Sequence, residues 1–277
     1  MKQLLAVEIN GQCQLHCPHC YIDKAEWPKT LMSDEVIDKL SVENYQQVAI
    51  VATEPFFNRA SLEATLRLGH RVREAGKTFA VISNALGLSR TFEVAPELRD
   101  LLSWIDISMD VPGLEGYAGY RGGSWHKFLR GVESAHAHGV EVSILNTVST
   151  RTLPFFEDMI ATSDALSTHF FTVSPMISAA SRCTEYGTSA LDSVRTFLEW
   201  SASSEAFQAS TKVRLDIGTT VCQQSLEDIS ELEDLAEKLG ILHKIEFSHQ
   251  DPDELIDRVT VGGELILPSQ TIMAAQQ

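Results

Sequence analysis

Short apolar runs alternate with amphipathic segments along the first two thirds of the chain. Runs of four to eight mostly apolar residues are typical of strands that are buried on both faces. Such strands alternating with helices predict a parallel sheet covered by helices, either doubly wound or closed towards a barrel. The six predicted strands are Leu4–Ile9, Val48–Ala52, Phe79–Ser83, Trp104–Met109, Glu141–Val148 and Phe170–Val173.

Capping residues predict where the helices between these strands begin and end. Ser33 is a typical N-cap, and acidic residues follow it in the first turn. A helix over Ala60–Ala75 is expected to end at Gly76, and a second helix is expected to run from Ser124 to about Gly139. Shorter helices are predicted at Leu98–Leu102 and Phe155–Ser163.

The regular alternation of apolar strands and amphipathic helices ends after about Gly187. The sequence therefore predicts two units: a large α/β unit over 1–200 and a small α+β appendage over 201–277. Around and beyond this boundary, the predicted elements are a helix at Leu191–Ser201, a strand at Lys212–Ile217, an amphipathic helix at Ser225–Gly240, a strand at Ile245–Ser248 and a hairpin at Asp257–Pro268 that turns at Gly262-Gly263.

The charge balance narrows the classes of partner. The chain has 22 basic and 38 acidic residues, and its net charge is -16. Such a surface repels nucleic acids and anionic lipids, so neither a nucleic acid nor a membrane is expected as a partner. No apolar run reaches the roughly 20 residues of a spanning helix, and the N-terminus does not resemble a signal peptide. A soluble, cytoplasmic protein is expected.

Three of the five cysteines are clustered. Cys13, Cys17 and Cys20 form the spacing C-x3-C-x2-C just after the first predicted strand, whereas Cys183 and Cys222 are isolated. Three thiolates so spaced can bind three irons of a [4Fe–4S] cluster and leave the fourth iron open. The alternative is a zinc ion that is bound by the three cysteines and by His16 or His19.

The motif with Tyr21 directly after its last cysteine resembles the signature of the radical S-adenosylmethionine (SAM) superfamily, and further landmarks extend the resemblance over roughly 4–180. The resemblance implies a partial (β/α)6 TIM-like barrel with a small appendage over 201–277. It also implies that SAM binds the fourth iron, and that an electron from the reduced cluster cleaves SAM to methionine and a 5′-deoxyadenosyl radical. The cofactor supplies this chemistry, and the protein positions it.

The resemblance also suggests which residues bind SAM. Ala52-Thr53-Glu54-Pro55 is similar to the family's Gly-Gly-Glu-Pro, which binds the amino group, but both glycines are replaced. The remaining matches also lie near the carboxyl ends of predicted strands, where barrel enzymes place their active sites. These candidates are Ser83 and Asn84 near the ligand, Ser108 and Arg121 at the SAM carboxylate, Asp110 beside Ser108 at the end of the fourth strand, Asn146 at the ribose or substrate, and Ser174 with Met176 at the adenine.

The C-terminal hairpin resembles that of the SPASM or twitch extension, which in relatives holds auxiliary clusters. Here Ser269 stands where a cysteine is common, and Cys183 and Cys222 are too few for a four-cysteine site. We expect a twitch-like remnant without an auxiliary cluster. Since such a cluster can remove an electron after hydrogen abstraction, its absence favours a redox-neutral reaction.

The expected function is a radical SAM enzyme that acts on a small metabolite or natural-product intermediate. It would receive electrons from a donor such as flavodoxin or ferredoxin. One alternative is a maturase of ribosomally made peptides, although a strand beginning near Leu4 leaves no room for an N-terminal leader-binding domain. Another is a non-enzymatic zinc or iron–sulfur module. The pocket rim is expected at Tyr117, Tyr120 and Trp125.

Overall fold

A computed structural model describes most of the chain. Within the described part, no helix is both long and apolar enough to cross a bilayer. The described residues are 2–20, 29–149, 151–169, 171–175, 190–210, 213–215, 226–244 and 257–266.

The six predicted strands are present and form the centre of one sheet. Each pairs in parallel with the next along the chain, as when Val7 pairs with Ile50 and Ile50 with Val81. The sheet order is β7-β6-β5-β4-β3-β2-β1-β8-β9. The strands are β1 (Lys2–Val7), β2 (Tyr45–Ile50), β3 (Thr78–Ser83), β4 (Trp104–Ser108), β5 (Glu141–Val148), β6 (Phe171–Pro175), β7 (Val213–Leu215), β8 (Asp257–Val259) and β9 (Leu265–Ile266).

The last third of the chain extends both edges of this sheet. Strand β7 pairs in parallel with β6, and β8 pairs in parallel with β1. The predicted hairpin is confirmed, because β8 and β9 are antiparallel and Gly263, with φ of 82°, lies in the turn. The strand predicted at Ile245–Ser248 lies outside the described residues. The division at residue 200 stays a prediction, and a helix runs across it.

Helices lie between the strands, as expected of a partial (β/α)6 barrel. Three of them, α3, α5 and α9, were not predicted. The helices are α1 (Asp34–Lys39), α2 (Arg59–Glu74), α3 (Leu88–Val94), α4 (Leu98–Leu101), α5 (Leu114–Arg121), α6 (Trp125–Ala137), α7 (Phe156–Ala165), α8 (Ala190–Ser203), α9 (Glu205–Ala209) and α10 (Leu226–Lys238), with 3-10 turns at Val42–Asn44, Leu153–Phe155 and Leu242–Lys244.

Helix α5 matters most for the site, and its sequence explains why it was missed. It contains Gly116 and Gly119, which disfavour a helix by about 1 kcal/mol each relative to alanine. Tertiary contacts override this preference, since Tyr117 and Arg121, four residues apart, are both buried, Tyr117 against Phe128 of α6. Gly116 also makes room for Val111, whose Cγ1 would lie 2.6 Å from a Cβ at that position.

The core lies between the sheet and its helices. Strand residues such as Val48, Val81 and Ile107 are fully buried in one core cluster with helix residues such as Leu68 and Phe128. Because the central strands are parallel, their carboxyl ends meet at one edge of the sheet. The segments that follow those ends therefore lie side by side, and they carry the residues described next.

Candidate functional site

The loop after β1 carries the three clustered cysteines and is attached to α5. The backbone N–H of His16 donates to the carbonyl of Arg121 at 3.1 Å, the last residue of α5. The N–H of Cys20 donates to the carbonyl of Cys17 at 3.1 Å and closes a turn. Cys13, Cys17 and Cys20 are half-buried and carry reduced thiols. The loop thus presents three thiols beside the buried end of a helix.

The thiols lie near one another without forming a preassembled site. Burial raises the pKa of Cys17 to about 11, Arg121 opposes this shift, and charge on Cys20 and Cys13 adds to it. Within the described ranges, no group of three or more histidine, cysteine or acidic side chains is arranged as a metal site. Metal binding requires these thiols to be deprotonated. Their chemistry matches three irons of a [4Fe–4S] cluster.

His19 is engaged by other groups, which weakens the zinc alternative that uses it. Its ring stacks on Tyr120 with centroids 5.4 Å apart, and Nδ1 lies 3.1 Å from the Tyr120 hydroxyl. Its Nε2 lies 3.6 Å from a carboxylate oxygen of Asp110. Burial lowers the pKa of His19, so the neutral ring is favoured. Its Nδ1 and its ring face therefore connect the cysteine loop to Tyr120 of α5.

Asp110, just after β4, makes side-chain contacts with two neighbouring elements of the site. Its side chain is 1% exposed and is paired with the Arg121 guanidinium. Its other oxygen accepts the backbone N–H of Thr147 at 3.0 Å. These contacts fasten the end of β4 to α5 and to β5. Two of the residues matched through the resemblance, Asp110 and Arg121, are thus in direct contact.

Arg121 keeps one donor unused. The guanidinium is buried, and its Nε has no hydrogen-bond partner among the described residues. A buried donor without an acceptor is uncommon in folded proteins, and it suits an incoming acceptor such as a carboxylate. The arrangement therefore fits the predicted role of Arg121 at the SAM carboxylate.

Glu54 has a corresponding position after the carboxyl end of β2. Its carboxylate is buried and accepts from the Ser83 hydroxyl at 2.9 Å and from the backbone N–H groups of Asn84 at 2.8 Å and Phe56 at 3.2 Å. Burial raises the pKa of Glu54 to about 7, and these three donors oppose the rise. The carboxylate therefore braces the ends of β2 and β3. Its predicted contact with the SAM amino group stays a prediction.

The contacts of the Glu54 carboxylate with Ser83, Asn84 and Phe56 are called the Glu54 brace. Two alanines near it, Ala52 and Ala85, adopt backbone conformations that favour glycine. Ala52 has φ of 82° and Ala85 has φ of 63°, both in the left-handed region. Ala52 occupies the first glycine position of the Gly-Gly-Glu-Pro pattern. The local backbone geometry is therefore of the kind that glycine supports, although the glycines are replaced.

The remaining predicted residues differ in how far the structure describes them. Thr53 is buried, and its hydroxyl donates to the carbonyl of Asn10. Ser108 is half-buried at the end of β4. Tyr21, Met176 and the side chain of Ser174 lie outside the described residues, so their roles stay predictions.

Three predicted positions contact neighbouring side chains. Asn146, predicted to face the ribose or substrate, is fully buried, and its Nδ2 donates to the carbonyl of Met109 at 2.9 Å and to the Met159 sulfur of α7 at 3.0 Å. Its Oδ1 has no hydrogen-bond partner among the described residues, and its predicted role stays a prediction. Tyr117 is fully buried and Trp125 packs against aromatic side chains, and their place at a pocket rim also stays a prediction.

Sequence reasoning missed Asn10 as part of the site, and it pointed to Thr147 only as part of the Asn146–Val148 segment, without its backbone contact. Asn10 donates to the carbonyl of Glu54 at 2.8 Å, and the N–H of Thr147 binds Asp110 as described above. A signal for Asn10 was available, since it is a polar residue directly after an apolar strand. Thr147 acts through its backbone, which no side-chain pattern reveals.

The chain is similar in sequence to a known family and to a curated protein. The family model of the "Radical SAM superfamily" matches residues 7–159. An AdoMet-dependent heme synthase from Oleidesulfovibrio alaskensis is 27% identical over 191 residues, which are 64% of this chain and 47% of that protein. The chain thus spans about half the length of that curated relative.

Two solved structures are similar in fold. Streptococcus suis SuiB bound to precursor peptide SuiA has a TM-score of 0.71 at 12% identity, covering 100% of this chain and 61% of that one. The protein anSMEcpe with bound AdoMet has a TM-score of 0.59 at 17% identity, covering 76% and 63% of the two chains. At these identities the likeness shows the fold.

The match of the family model covers more than half of the chain, and it begins within β1 and ends within α7. It therefore includes the cysteine loop, the Glu54 brace and the Asp110–Arg121 pair. Members of the family bind a [4Fe–4S] cluster and S-adenosylmethionine, for which the three thiols and the spare Arg121 donor are suitable. The chain belongs to the radical SAM superfamily.

Proposed function

We propose that the protein is a radical SAM enzyme that generates a 5′-deoxyadenosyl radical to act on a small metabolite or natural-product intermediate. The observation that carries the proposal is the attachment of the cysteine loop to Arg121, a buried cation that has one unused donor. This attachment supports a site in which the thiols act as cluster ligands beside a guanidinium that binds an anion. The similarity to an AdoMet-dependent heme synthase supports the same assignment.

The three cysteines would hold the cluster. When bound and reduced, the cluster supplies the electron that cleaves the sulfonium of SAM. Arg121 would orient the SAM carboxylate through Nε, while Asp110 keeps its guanidinium in place. Thr53 and Glu54 would shape the backbone that receives the SAM amino group.

The loop environment also limits solvent near the thiols. Cys17 is half-buried, and His19 of the loop stacks on Tyr120. Excluding water protects a radical from side reactions and strengthens the electrostatic contacts around the ligand. We therefore propose that the contact between His19 and Tyr120 keeps the cysteine loop against α5.

We further propose a redox-neutral reaction. Beyond the motif, these 277 residues contain only Cys183 and Cys222, which are too few for a four-cysteine auxiliary site. The electron for SAM cleavage would come from a small donor protein such as flavodoxin or ferredoxin. Reconstituted protein should bind about four irons per chain, and clearly more would contradict this part of the proposal.

A second candidate is the modification of a peptide. It is favoured by the similarity to SuiB over 100% of this chain, because the solved structure of that protein contains a precursor peptide. A screen for SAM cleavage stimulated by small metabolites or by peptides distinguishes the two candidates. Stimulation by a peptide alone would favour the second.

The direct test is the formation of 5′-deoxyadenosine after anaerobic reconstitution with iron and sulfide. Wild-type protein with SAM and dithionite should release it, and Cys17→Ala should not. Cys17→Ala should also lose the broad absorption near roughly 400 nm that marks the cluster. Activity retained in Cys17→Ala would contradict the ligand assignment, and a colourless zinc protein would contradict the enzyme class.

A further inference from the structure

The sulfur of Cys13 receives two amide donors. The side-chain Nδ2 of Asn84, after β3, lies 3.7 Å from Cys13 Sγ, and the backbone N–H of Leu15 lies 3.5 Å from it. Sulfur hydrogen bonds are longer than those of oxygen, because the acceptor atom is larger. Asn84 is the one of the two donors that a substitution can remove.

The orientation of the Asn84 amide is fixed by its other partners. Its Oδ1 accepts the backbone N–H of Leu86 at 3.0 Å and the Nε2 of Gln14 at 3.2 Å. A backbone N–H can only donate, so the amide oxygen must face Leu86. The NH2 group then has to face Cys13.

The backbone of Asn84 is held as firmly as its side chain. Its N–H donates to Glu54 at 2.8 Å, and its carbonyl accepts from the Tyr117 hydroxyl at 3.2 Å. Asn84 is 4% exposed, and both partners are buried. A donor this constrained keeps its direction towards the sulfur without a further loss of side-chain freedom.

Hydrogen bonds to cluster sulfurs change the reduction potential. A reduced cluster carries one more negative charge than an oxidised one, and part of that charge lies on the cysteine sulfurs. An N–H donor therefore stabilises the reduced form more strongly and raises the potential. In a site shielded from water, the contribution of such a donor is larger.

We propose that Asn84 raises the reduction potential of the cluster by donating its side-chain N–H to the thiolate of Cys13. This is a positioning and tuning role, distinct from the contact with SAM that the family resemblance implies. It rests on the proposed function only in requiring that Cys13 binds the cluster. The loss of this donor should make the cluster harder to reduce.

The test is the midpoint potential of the reconstituted cluster, followed by its electron paramagnetic resonance signal during redox titration. Asn84→Asp keeps the size and the acceptor oxygen, removes the donor and adds negative charge, so it should lower the potential most. Asn84→Ala removes the donor without adding charge and should lower it less. Asn44→Asp is the control for added charge, since Asn44 is exposed before β2, at the opposite end of the strands.

The inference requires the two Asn84 variants to have lower potentials than wild type and Asn44→Asp to match it. Circular dichroism and iron content verify that each variant is folded and loaded, and Asn84→Leu, which is similar in size and has no donor, replaces any variant that is not. Unchanged potentials in a wild-type protein that does release 5′-deoxyadenosine would overturn this inference alone. A wild-type protein that binds no cluster would overturn both proposals.

Discussion

Two buried carboxylates, Glu54 and Asp110, occupy equivalent places at the carboxyl ends of β2 and β4 but have different partners. Each is 1% exposed. Glu54 is surrounded by uncharged donors, and its pKa is raised by burial to about 7. Asp110 is paired with the guanidinium of Arg121. Equal burial therefore gives one group that gains a proton near neutral pH and one that is fixed in an ion pair.

The difference indicates separate tasks within one site. The Glu54 brace joins β2 to β3 and orients Asn84 towards Cys13. The Asp110 pair joins β4 to α5, and α5 holds the other part of the cysteine loop. The loop is thus fixed from two sides by electrostatically different contacts. The predictions below disturb one side at a time.

The largest effect is expected from Arg121→Gln, which leaves the Asp110 carboxylate buried without its cation. Removing one partner of a buried pair typically costs about 3–5 kcal/mol of unfolding free energy. Urea unfolding of the apo-protein measures it. The double variant Arg121→Gln with Asp110→Asn should lose less, because no lone charge remains. A cost below about 1 kcal/mol for the single variant would show that the pair does not fix α5.

Glu54→Gln should remove a pH dependence from the unfolding free energy. The pKa of Glu54 rises from 4.5 to about 7 on folding, so between these values the folded protein holds a proton that the unfolded chain releases. The contribution of Glu54 to the wild-type unfolding free energy therefore falls as the pH rises across this interval, by about 3 kcal/mol in total.

Urea titrations of both proteins below and above this interval measure the effect, because contributions from other groups cancel in the difference. Glu54→Gln mimics the protonated form, so its stability relative to wild type should rise with pH. A difference that stays constant with pH would mean that Glu54 titrates as it does in the unfolded chain.

A smaller effect is expected at Tyr120, on the α5 side of the loop. Tyr120→Phe loses the hydroxyl contact to His19 but keeps the stacking, at a cost of about 1 kcal/mol. Tyr120→Leu loses both. The rate at which a chelator removes iron from the reconstituted protein should rise about fivefold in the first variant and further in the second. Equal rates in all three proteins would show that Tyr120 does not hold the loop.

The smallest effect is a gain in stability from Ala52→Gly. A left-handed conformation costs alanine about 1–2 kcal/mol, part of which glycine loses again through its freedom in the unfolded chain. The net gain should be about 0.5–1 kcal/mol in urea unfolding.

Ala85→Gly is the matched comparison, because Ala85 has a similar φ but is fully buried. It loses a packed methyl group worth about 0.8 kcal/mol, so it should gain less. An Ala52→Gly protein less stable than wild type would mean that the Ala52 backbone is not strained.

The strands and most helices could be predicted from the sequence, because buried parallel strands are continuous apolar runs such as Val48–Ala52. Helix α5 could not, since its glycines argue against a helix until its contacts with the sheet are known. The family resemblance also placed Glu54, Asn84 and Asp110 near strand ends.

The partners of the site residues could not be predicted, because they depend on side-chain directions. Asn146 illustrates this, since it lies near the end of β5 and yet contacts Met159 in the helix layer. Thr147, its neighbour, reaches Asp110 through its backbone N–H. Periodicity indicates which residues are near a strand end but not which group each of them binds.

The central claim is that Cys13, Cys17 and Cys20 bind three irons of one [4Fe–4S] cluster and leave the fourth open to SAM. The most direct measurement is the electron paramagnetic resonance spectrum of the reduced protein with and without SAM, together with iron content. We predict about four irons per chain and a spectrum whose g values change when SAM is added. A spectrum that SAM leaves unchanged would contradict the claim.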